Sequence, residues 1–178
     1  MKKFFFLALP VFVSVFISCS SISKAETAEL MKIGSEGQDV YEVQTKLKRM
    51  GYFPVQPTGY FGSISQRAVI HFQQDTGLLT DGIIGPKTRY QLVNVEMMAR
   101  VVHGEARGES YTGKVAVAAV ILNRKDSIHF PNTVAQVIFQ PNAFTPVNDG
   151  QYHLTPDNDA YRAVIDALKG WDPTYGST

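Results

Sequence analysis

The sequence predicts a mainly α-helical protein that is built from two small modules. Apolar residues recur at three- and four-residue steps in several segments, which is the spacing that puts them on one face of a helix. Glycine and proline stand where these segments would begin and end. The 178 residues are 44% hydrophobic, which is enough to form packed cores and is not typical of a disordered chain.

The charge balance restricts the kind of partner. Seventeen Lys plus Arg face sixteen Asp plus Glu, for a net charge of +1. Nucleic acids and anionic membranes are bound through strongly basic surfaces, which this balance does not predict. We therefore expect no nucleic acid partner, and we expect a ligand that is recognised by its shape and its hydrogen-bonding groups.

Residues 1–25 are typical of a secretory signal peptide. Two lysines precede an apolar run from Phe4 to Ile17, and Ser23-Lys24-Ala25 offers small residues for cleavage. A membrane anchor is the alternative, but the run is shorter than the roughly 20 residues that a spanning helix needs. Pro10 also interrupts it. The sequence therefore predicts export.

The single cysteine of the sequence, Cys19, lies inside this leader. Cleavage after Ala25 would leave a mature chain without a thiol or a disulfide, so that its stability must come from packing. It would also exclude a thiol peptidase. The alternative is a lipoprotein in which Cys19 becomes the lipidated first residue.

Three helices are predicted within the first module, residues 34–94, which follows a linker at residues 26–33. Asp39 is expected to cap the first helix and Ser63 to cap the second, because both are side chains that accept a hydrogen bond from a free helical N–H. The third helix is expected to open at Gly85-Pro86, since proline suits the first helical turn.

The turns before the second and third helices nearly repeat one another. The segment Gly59-Tyr60-Phe61-Gly62-Ser63-Ile64-Ser65 matches Gly82-Ile83-Ile84-Gly85-Pro86-Lys87-Thr88 in its glycines and in its polar helix start. Glycine is expected in a tight turn that requires backbone angles a side chain would forbid. The sequence thus predicts one turn that is built twice.

The turn and core positions of this first module form a recognisable motif. Its residues are Gly37, Val40, Gln44, Leu47, Gly51-Tyr52, Gly59, Phe61-Gly62, Ala68-Val69, Phe72-Gln73, Gly77-Leu78, Asp81-Gly82, Gly85 and Thr88. Through them the module resembles the peptidoglycan-binding domain 1 family. The resemblance implies a small three-helix bundle that holds cell-wall glycopeptide without cleaving it, and a helical bundle of unrelated purpose is the alternative. The motif does not show which residues touch the ligand, because most of its positions are turn or core residues.

The second module, residues 95–178, is also predicted to be mainly helical. An apolar stripe that begins at Val95 runs toward Gly104, where the helix is expected to fray. The apolar run from Val115 to Leu122 is compatible with a buried strand or a buried helix, and its length without a turn residue favours a helix. Two further helices are predicted over Asn132–Gln140 and Asn158–Lys169.

Glu105 is the candidate catalytic acid of this module. A helical side chain leans over the residues three and four positions earlier, which here are Val102 and Val101. This apolar floor, the helix C-terminus, and Glu109 if the turn continues would all disfavour the ionised carboxylate. A carboxylic acid of this kind can protonate a leaving oxygen near neutral pH. The alternative is that Glu105 and Glu109 are an ordinary solvated pair at a helix end.

Five blocks of the second module occur in the order of a known family. They are Ala99 to Glu109, Gly113 to Arg124, Phe130-Pro131-Asn132-Thr133, Gln140-Pro141-Asn142-Ala143-Phe144 and Gly170-Trp171-Asp172-Pro173. Through these blocks the module resembles the SleB-type spore cortex-lytic hydrolases. The resemblance implies a lysozyme-like fold, α-helical with some β-structure, and cleavage between N-acetylmuramic acid and N-acetylglucosamine, usually as a lytic transglycosylase. Glu105 matches the family's catalytic glutamate.

The mechanism that the resemblance implies needs one carboxylate. Glu105 would protonate the glycosidic oxygen and then act as a base while the muramic 6-hydroxyl closes on its own anomeric carbon. Ordinary glycosidases use two carboxylates. We therefore interpret Asp149, Asp157 and Asp159 as caps or loop residues. Phe144 is left open as either a sugar-stacking or a core residue.

The resemblance carries further expectations about context. The family continues beyond the Gly170–Pro173 block with an aromatic-rich segment, whereas this chain stops at Thr178, so part of the catalytic cleft is expected to be absent. A sporulating Gram-positive bacterium, the spore cortex, action during germination and a membrane-anchored protective partner are also implied. The protein is expected to be a monomer.

Other chemistries lack their motifs in the sequence. The four histidines, His71, His103, His129 and His153, show no spacing typical of zinc ligands. A Gly-x-Ser-x-Gly element of serine hydrolases is also absent. We therefore predict neither a metal nor a cofactor. The remaining alternative to the enzyme is a non-catalytic peptidoglycan-binding protein.

Overall fold

The computed structural model describes residues 30–178. The predicted signal peptide at residues 1–25, its Cys19 and the first part of the predicted linker lie outside this range. Within it the protein is mainly α-helical, as predicted, and its β-structure is limited to two isolated bridges, Met31 with Ile84 and Glu36 with Tyr60. The helices of this range include none that is both long and apolar enough to cross a membrane.

Seven α-helices and one short 3₁₀ helix follow one another along the described chain. They are α1 Gln38–Arg49, α2 Ser63–Asp75, α3 Pro86–Glu105, α4 Tyr111–Asp126, α5 Val134–Ile138, α6 Thr145–Asp149, the 3₁₀ helix Gln151–His153 and α7 Asn158–Leu168.

The first two helices begin slightly earlier than the sequence predicts. The residue before α1 is Gly37, with φ of 120°, so that Asp39 lies in the first helical turn and does not cap it. Gly62 takes the same position before α2, which makes Ser63 the first helical residue. The turns before the helices explain the difference. Before α1, Gly37 donates its N–H to the carbonyl of Gly59 at 2.9 Å, and before α2, Phe61 donates its N–H to the carbonyl of Ser35 at 2.9 Å. The third helix begins at Pro86, as predicted.

Two buried glutamines hold the duplicated turn in its two copies. Gln44 accepts the N–H groups of Thr58 and Gly59 and donates to the carbonyl of Tyr60 and the hydroxyl of Ser65. Gln73 accepts the N–H of Gly82 and donates to the side chains of Asp81 and Thr88 and to the carbonyl of Ile83. The glutamine of α1 therefore holds the turn before α2 and the third residue of α2, and the glutamine of α2 does the same for α3. The predicted repeat is confirmed.

Replacing Gln44 by methionine should destabilise the protein by about 2–4 kcal/mol, because the N–H groups of Thr58 and Gly59 would lose their buried acceptor. Chemical denaturation monitored by circular dichroism measures this change. Gln74→Met is the matched control, since Gln74 is exposed and should change stability by less than about 0.5 kcal/mol. Equal stability of both variants would contradict the role of Gln44.

Helix α3 belongs to both predicted modules. Its residues Pro86–Glu105 run through position 94, where the sequence predicts the module boundary, and Leu92, Val95 and Met98 are buried along this stretch. The boundary itself stays a prediction. The structure adds that the chain crosses it as one continuous helix.

Polar contacts hold α7 in place within the second module and link its end to the first module. The hydroxyl of the fully buried Tyr161 donates to Glu96 on α3 at 2.7 Å, inside the second module. Lys169 Nζ, just after α7, lies 3.8 Å from the carboxylate of Asp75 at the end of α2. This ion pair links the two modules in addition to the helix that they share.

The second module is a group of helices around α3, α4 and α7. Helix α4 begins after Ser110, whose hydroxyl accepts the N–H of Gly113 at 3.2 Å, and the predicted apolar run forms its buried face. Helix α7 begins after Asp157, close to the predicted start. Helix α5 is shorter than predicted, and the sequence analysis did not predict α6 or the 3₁₀ helix.

Candidate active site

Glu105 is the last residue of α3. Val101 and Val102 behind it are fully buried, so the predicted apolar floor is present. The helix does not continue, because Ala106 ends it and the N–H of Glu109 bonds to the carbonyl of Ala106 at 3.1 Å in the following turn. The predicted repulsion from Glu109 through a continuing helix therefore does not arise.

The carboxylate of Glu105 is held from the start of α6. The backbone N–H of Thr145 donates to Oε1 at 2.6 Å, whereas Oε2 has no hydrogen-bond partner within residues 30–178. Glu105 is exposed, so the described residues do not enclose its carboxyl group in a solvent-excluding groove. One oxygen is thus fixed in position, and the other is accessible from outside.

Gly104 allows α6 to come this close to α3. A Cβ atom at this position would lie 2.5 Å from both Cβ and Cγ of Pro146 and 3.6 Å from Cβ of Gln151. Contacts at 2.5 Å are far inside van der Waals distance, so any side chain would force α6 away. The glycine before Glu105 is therefore required for the Thr145 contact.

A polar cluster stands beside this contact. Asp149 accepts the main-chain N–H of Gln151 at 3.0 Å and its side-chain amide at 2.7 Å, and Arg107 donates to the amide oxygen of Gln151 at 3.3 Å. The two hydrogen bonds from Gln151, with Arg107 nearby, hold the pKa of Asp149 below its ordinary value. Asp149, the last residue of α6, is thus an ionised acceptor for the first residue of the 3₁₀ helix, which is a capping role of the kind that the sequence predicts.

Arg124 on α4 contacts the segment that immediately precedes α6. Its guanidinium lies 5.1 Å from the ring centroid of Phe144 and 5.4 Å from that of Phe130, and it donates to the carbonyl of Ala143 at 3.5 Å. Phe144 is buried. Phe144 is therefore a core residue that helps to position Thr145, and the sugar-stacking alternative does not hold for it.

The other two aspartates of the sequence analysis have structural contacts. Asp157 caps α7 and forms an ion pair with Lys114 at 3.3 Å, and its carboxylate lies 3.5 Å from Nδ1 of His103. Burial alone would raise the pKa of Asp157, but the hydrogen bond from the first turn of α7 and the Lys114 ammonium outweigh it and lower the pKa. Asp159 pairs with Arg162 at 3.4 Å. His103 thus contacts Asp157 and not Glu105.

Two of the blocks that carry the family resemblance meet at the chain's last segment. The amide of Asn123 on α4 donates to Asp172 at 3.1 Å and to the hydroxyl of Thr174 at 3.3 Å. Asp172 also accepts the N–H groups of Thr174 and Gly176. The Thr174 hydroxyl and the Asn123 amide hold the pKa of Asp172 down to about 2. These motif residues fasten the last segment to α4.

The structure shows where the four histidines of the sequence analysis lie. No group of three or more His, Cys, Asp or Glu side chains within residues 30–178 is arranged to hold a metal ion. His103 is half-buried beside Asp157, and His71, His129 and His153 are exposed at separate places.

The sequence analysis did not identify Thr145, Pro146 and Gln151 as site residues. Helix α6 has five residues, which is too short for an apolar period to be visible. One signal was available, because Thr145-Pro146 is typical of a helix start with proline in the first turn. It predicts the helix, but not that the helix would meet Glu105.

Two family models match the chain. The peptidoglycan binding domain family matches residues 36–92, and the Cell Wall Hydrolase family matches residues 108–178. Glu105 lies between the two matched ranges, three residues before the second one. Helix α3 connects them.

Relatives with both modules and solved structures of single modules are similar to this chain. The catalytic domain of the Bacillus cereus SleB protein is 60% identical, with a TM-score of 0.45, and the match covers 47% of this chain and 65% of that one. The catalytic domain of the germination-specific lytic transglycosylase SleB from Bacillus anthracis is 61% identical, with the same TM-score and coverage of 47% and 68%.

A spore cortex-lytic enzyme from Bacillus cereus is 37% identical over 215 aligned residues, which cover 93% of this chain and 83% of that protein. The similarity therefore extends over both modules. The chain belongs to the spore cortex-lytic enzyme family.

Proposed function

We propose that the chain cleaves peptidoglycan glycan strands between N-acetylmuramic acid and N-acetylglucosamine, with Glu105 as its acid and base. The observation that carries this proposal is the placement of Glu105 at the exposed end of α3, with Oε1 fixed by the Thr145 N–H at 2.6 Å. A catalytic acid needs an accessible oxygen in a defined position, and Oε2 meets this requirement.

The reaction starts with proton transfer. Oε2 of Glu105 donates its proton to the glycosidic oxygen as the bond from that oxygen to the muramic anomeric carbon breaks, which frees the N-acetylglucosamine hydroxyl. The carboxylate then accepts the proton of the muramic 6-hydroxyl while the oxygen of that hydroxyl bonds to the anomeric carbon. The product is a 1,6-anhydro sugar, Glu105 is protonated again, and no water is consumed. Throughout, the Thr145 N–H stabilises the charge that forms on the carboxylate.

The contacts of Asp149, Asp157 and Asp159 fit this one-carboxylate reaction. Asp149 accepts a hydrogen bond from Gln151, Asp157 accepts one from the first turn of α7, and Asp159 forms an ion pair with Arg162. A hydrolase with two carboxylates would need a second group free to activate water. The intramolecular 6-hydroxyl removes that need.

The two modules divide the task in this proposal. Residues 34–94 hold peptidoglycan, residues 95–178 cleave it, and no cofactor takes part. The names of the relatives extend the proposal to cleavage of the spore cortex during germination. The enzyme would reach the cortex by export, directed by the leader at residues 1–25. The proposal includes a membrane-anchored partner protein that protects the enzyme until germination, and the enzyme acts as a monomer.

Product analysis tests the proposed function. Purified protein is incubated with spore cortex peptidoglycan, and the soluble products are identified by liquid chromatography and mass spectrometry. We expect anhydromuropeptides, each lighter by one water than the product of hydrolysis. Products with reducing muramic ends would instead show a hydrolase. Sedimentation with peptidoglycan and no soluble product would favour the non-catalytic binding protein.

A further inference from the structure

The first module carries an open groove of about 430 Å³ beside the first copy of its repeated turn. The side chains of Ile33, Val55, Tyr60 and Ile64 form its rim, and we name it the Tyr60 groove. These four apolar residues are 52%, 39%, 50% and 37% exposed. Single exposed apolar residues are common on protein surfaces, but a group of them around one concavity indicates a binding site.

The ring of Tyr60 is presented by a rigid backbone. Its carbonyl accepts the amide of Gln44 at 2.8 Å, and its N–H donates to the hydroxyl of Thr58 at 3.2 Å. The ring lies against Gly62, where an added Cβ would be 3.3 Å from Cε1 of Tyr60. Binding to such a ring costs little ordering, because its backbone is already fixed.

Tyr60 also borders a second cavity of about 430 Å³, which Tyr41 and Thr58 line as well. Tyr60 thus lines both of these neighbouring cavities. A ligand longer than one sugar ring can therefore pass across Tyr60 from one cavity to the other.

The charge of the groove indicates the chemistry of its ligand. None of the described residues that line the Tyr60 groove carries a charge, and Glu36 is the one charged side chain in the described lining of the second cavity. A peptidoglycan stem peptide has carboxylates and needs cationic or hydrogen-bonding partners. An N-acetylglucosamine unit is neutral, and its sugar ring has an apolar face that can lie on an aromatic ring.

We propose that the Tyr60 groove binds an N-acetylglucosamine unit of the glycan strand, with the apolar face of the sugar on the ring of Tyr60. This inference rests on the proposed function, in which peptidoglycan is the ligand of the first module. It adds the part of the polymer that is recognised and the residues that recognise it.

The repeat supplies an internal control for this site. Ile83 stands in the second copy of the turn where Tyr60 stands in the first, and its carbonyl accepts the equivalent glutamine, Gln73. The same backbone therefore occurs once with an aromatic ring and once without it. A variant at Ile83 tests whether truncating the side chain at the same position of the second copy also affects binding.

The experiment titrates the whole chain with chitotetraose, a neutral oligomer of N-acetylglucosamine, and measures binding by calorimetry. Glu105→Gln is the parent, so that glycan binding is measured without cleavage. Tyr60→Ala should weaken binding by about tenfold or more, as expected for a central aromatic contact. Tyr60→Phe, which keeps the ring, and Ile83→Ala should each stay within about twofold of the parent.

A second variant keeps the test decisive if Tyr60→Ala does not fold. Val55→Glu places a charge on the exposed rim and should weaken binding of the neutral probe to a similar degree. Parent-like binding by Tyr60→Ala or, in its place, by Val55→Glu would overturn the proposal. So would binding of free stem peptide in place of chitotetraose.

The outcome separates this inference from the proposed function. Release of anhydromuropeptides by the wild-type chain is measured in parallel. If release occurs and chitotetraose binding does not depend on Tyr60, the groove assignment alone is wrong. If binding depends on Tyr60 and no release occurs, the groove assignment holds and the catalytic proposal is wrong.

Discussion

Replacing Glu105 by glutamine should reduce the release of anhydromuropeptides by about 10²–10⁴-fold, which is the usual contribution of a positioned general acid and base. Glutamine has nearly the same shape and can still accept the N–H of Thr145 through its amide oxygen. It cannot donate a proton to the glycosidic oxygen or take one from the 6-hydroxyl. Timed product analysis by chromatography gives the two rates.

Glu109→Gln is the matched control for this change. Glu109 is also an exposed acid next to the end of α3, and it lies in the turn beyond the helix. We expect near wild-type release from this variant, and unchanged sedimentation with peptidoglycan from both. Equal release by Glu105→Gln and the wild-type protein would remove Glu105 from the mechanism.

Introducing alanine at Gly104 should reduce release by about 10²-fold, because displacement of a catalytic group by about 1 Å has costs of this size. The new Cβ would lie 2.5 Å from Pro146, so α6 must move and carry the Thr145 N–H away from Glu105. Overpacking of this kind also destabilises a protein by roughly 1–3 kcal/mol. Denaturation midpoints and release rates measure the two effects.

Gly108→Ala controls for the loss of a glycine in the same segment. A Cβ at Gly108 would meet nothing within 4 Å, and its φ is not in the left-handed region. We expect stability within about 0.5 kcal/mol of the wild type and normal release. In an ordinary helix, alanine is more stable than glycine by about 1 kcal/mol. A more stable and fully active Gly104→Ala protein would therefore contradict the packing described here.

The sequence predicted the long helices well because their signals are local. Apolar spacing, Pro86 at the start of α3 and the flanks of the run in α4 all lie within a few residues of what they determine. The two caps at Asp39 and Ser63 were misplaced for the same reason. The local pattern favours a polar side chain as the cap, whereas the chain just before each helix is held by a hydrogen bond to a distant segment, from Gly37 to Gly59 and from Phe61 to Ser35.

The site could be predicted only in part. The apolar floor under Glu105 follows from helical spacing, and Val101 and Val102 are indeed buried. The Thr145 contact joins residues 40 positions apart, and nothing in the local sequence encodes it. The exposure of the carboxyl group likewise depends on how distant segments pack. Its catalytic role stays a prediction that came from the resemblance and that the two site variants test.

The continuous helix α3 has a consequence for where the enzyme would cut. Its 20 residues span about 30 Å, and it leads from the second glycine turn of the wall-holding module to Glu105. Because a continuous helix is stiffer than a flexible linker, α3 keeps the peptidoglycan-holding module at a fixed distance from Glu105. Each cleavage would then occur at a constant distance along the glycan strand from the unit that the first module holds.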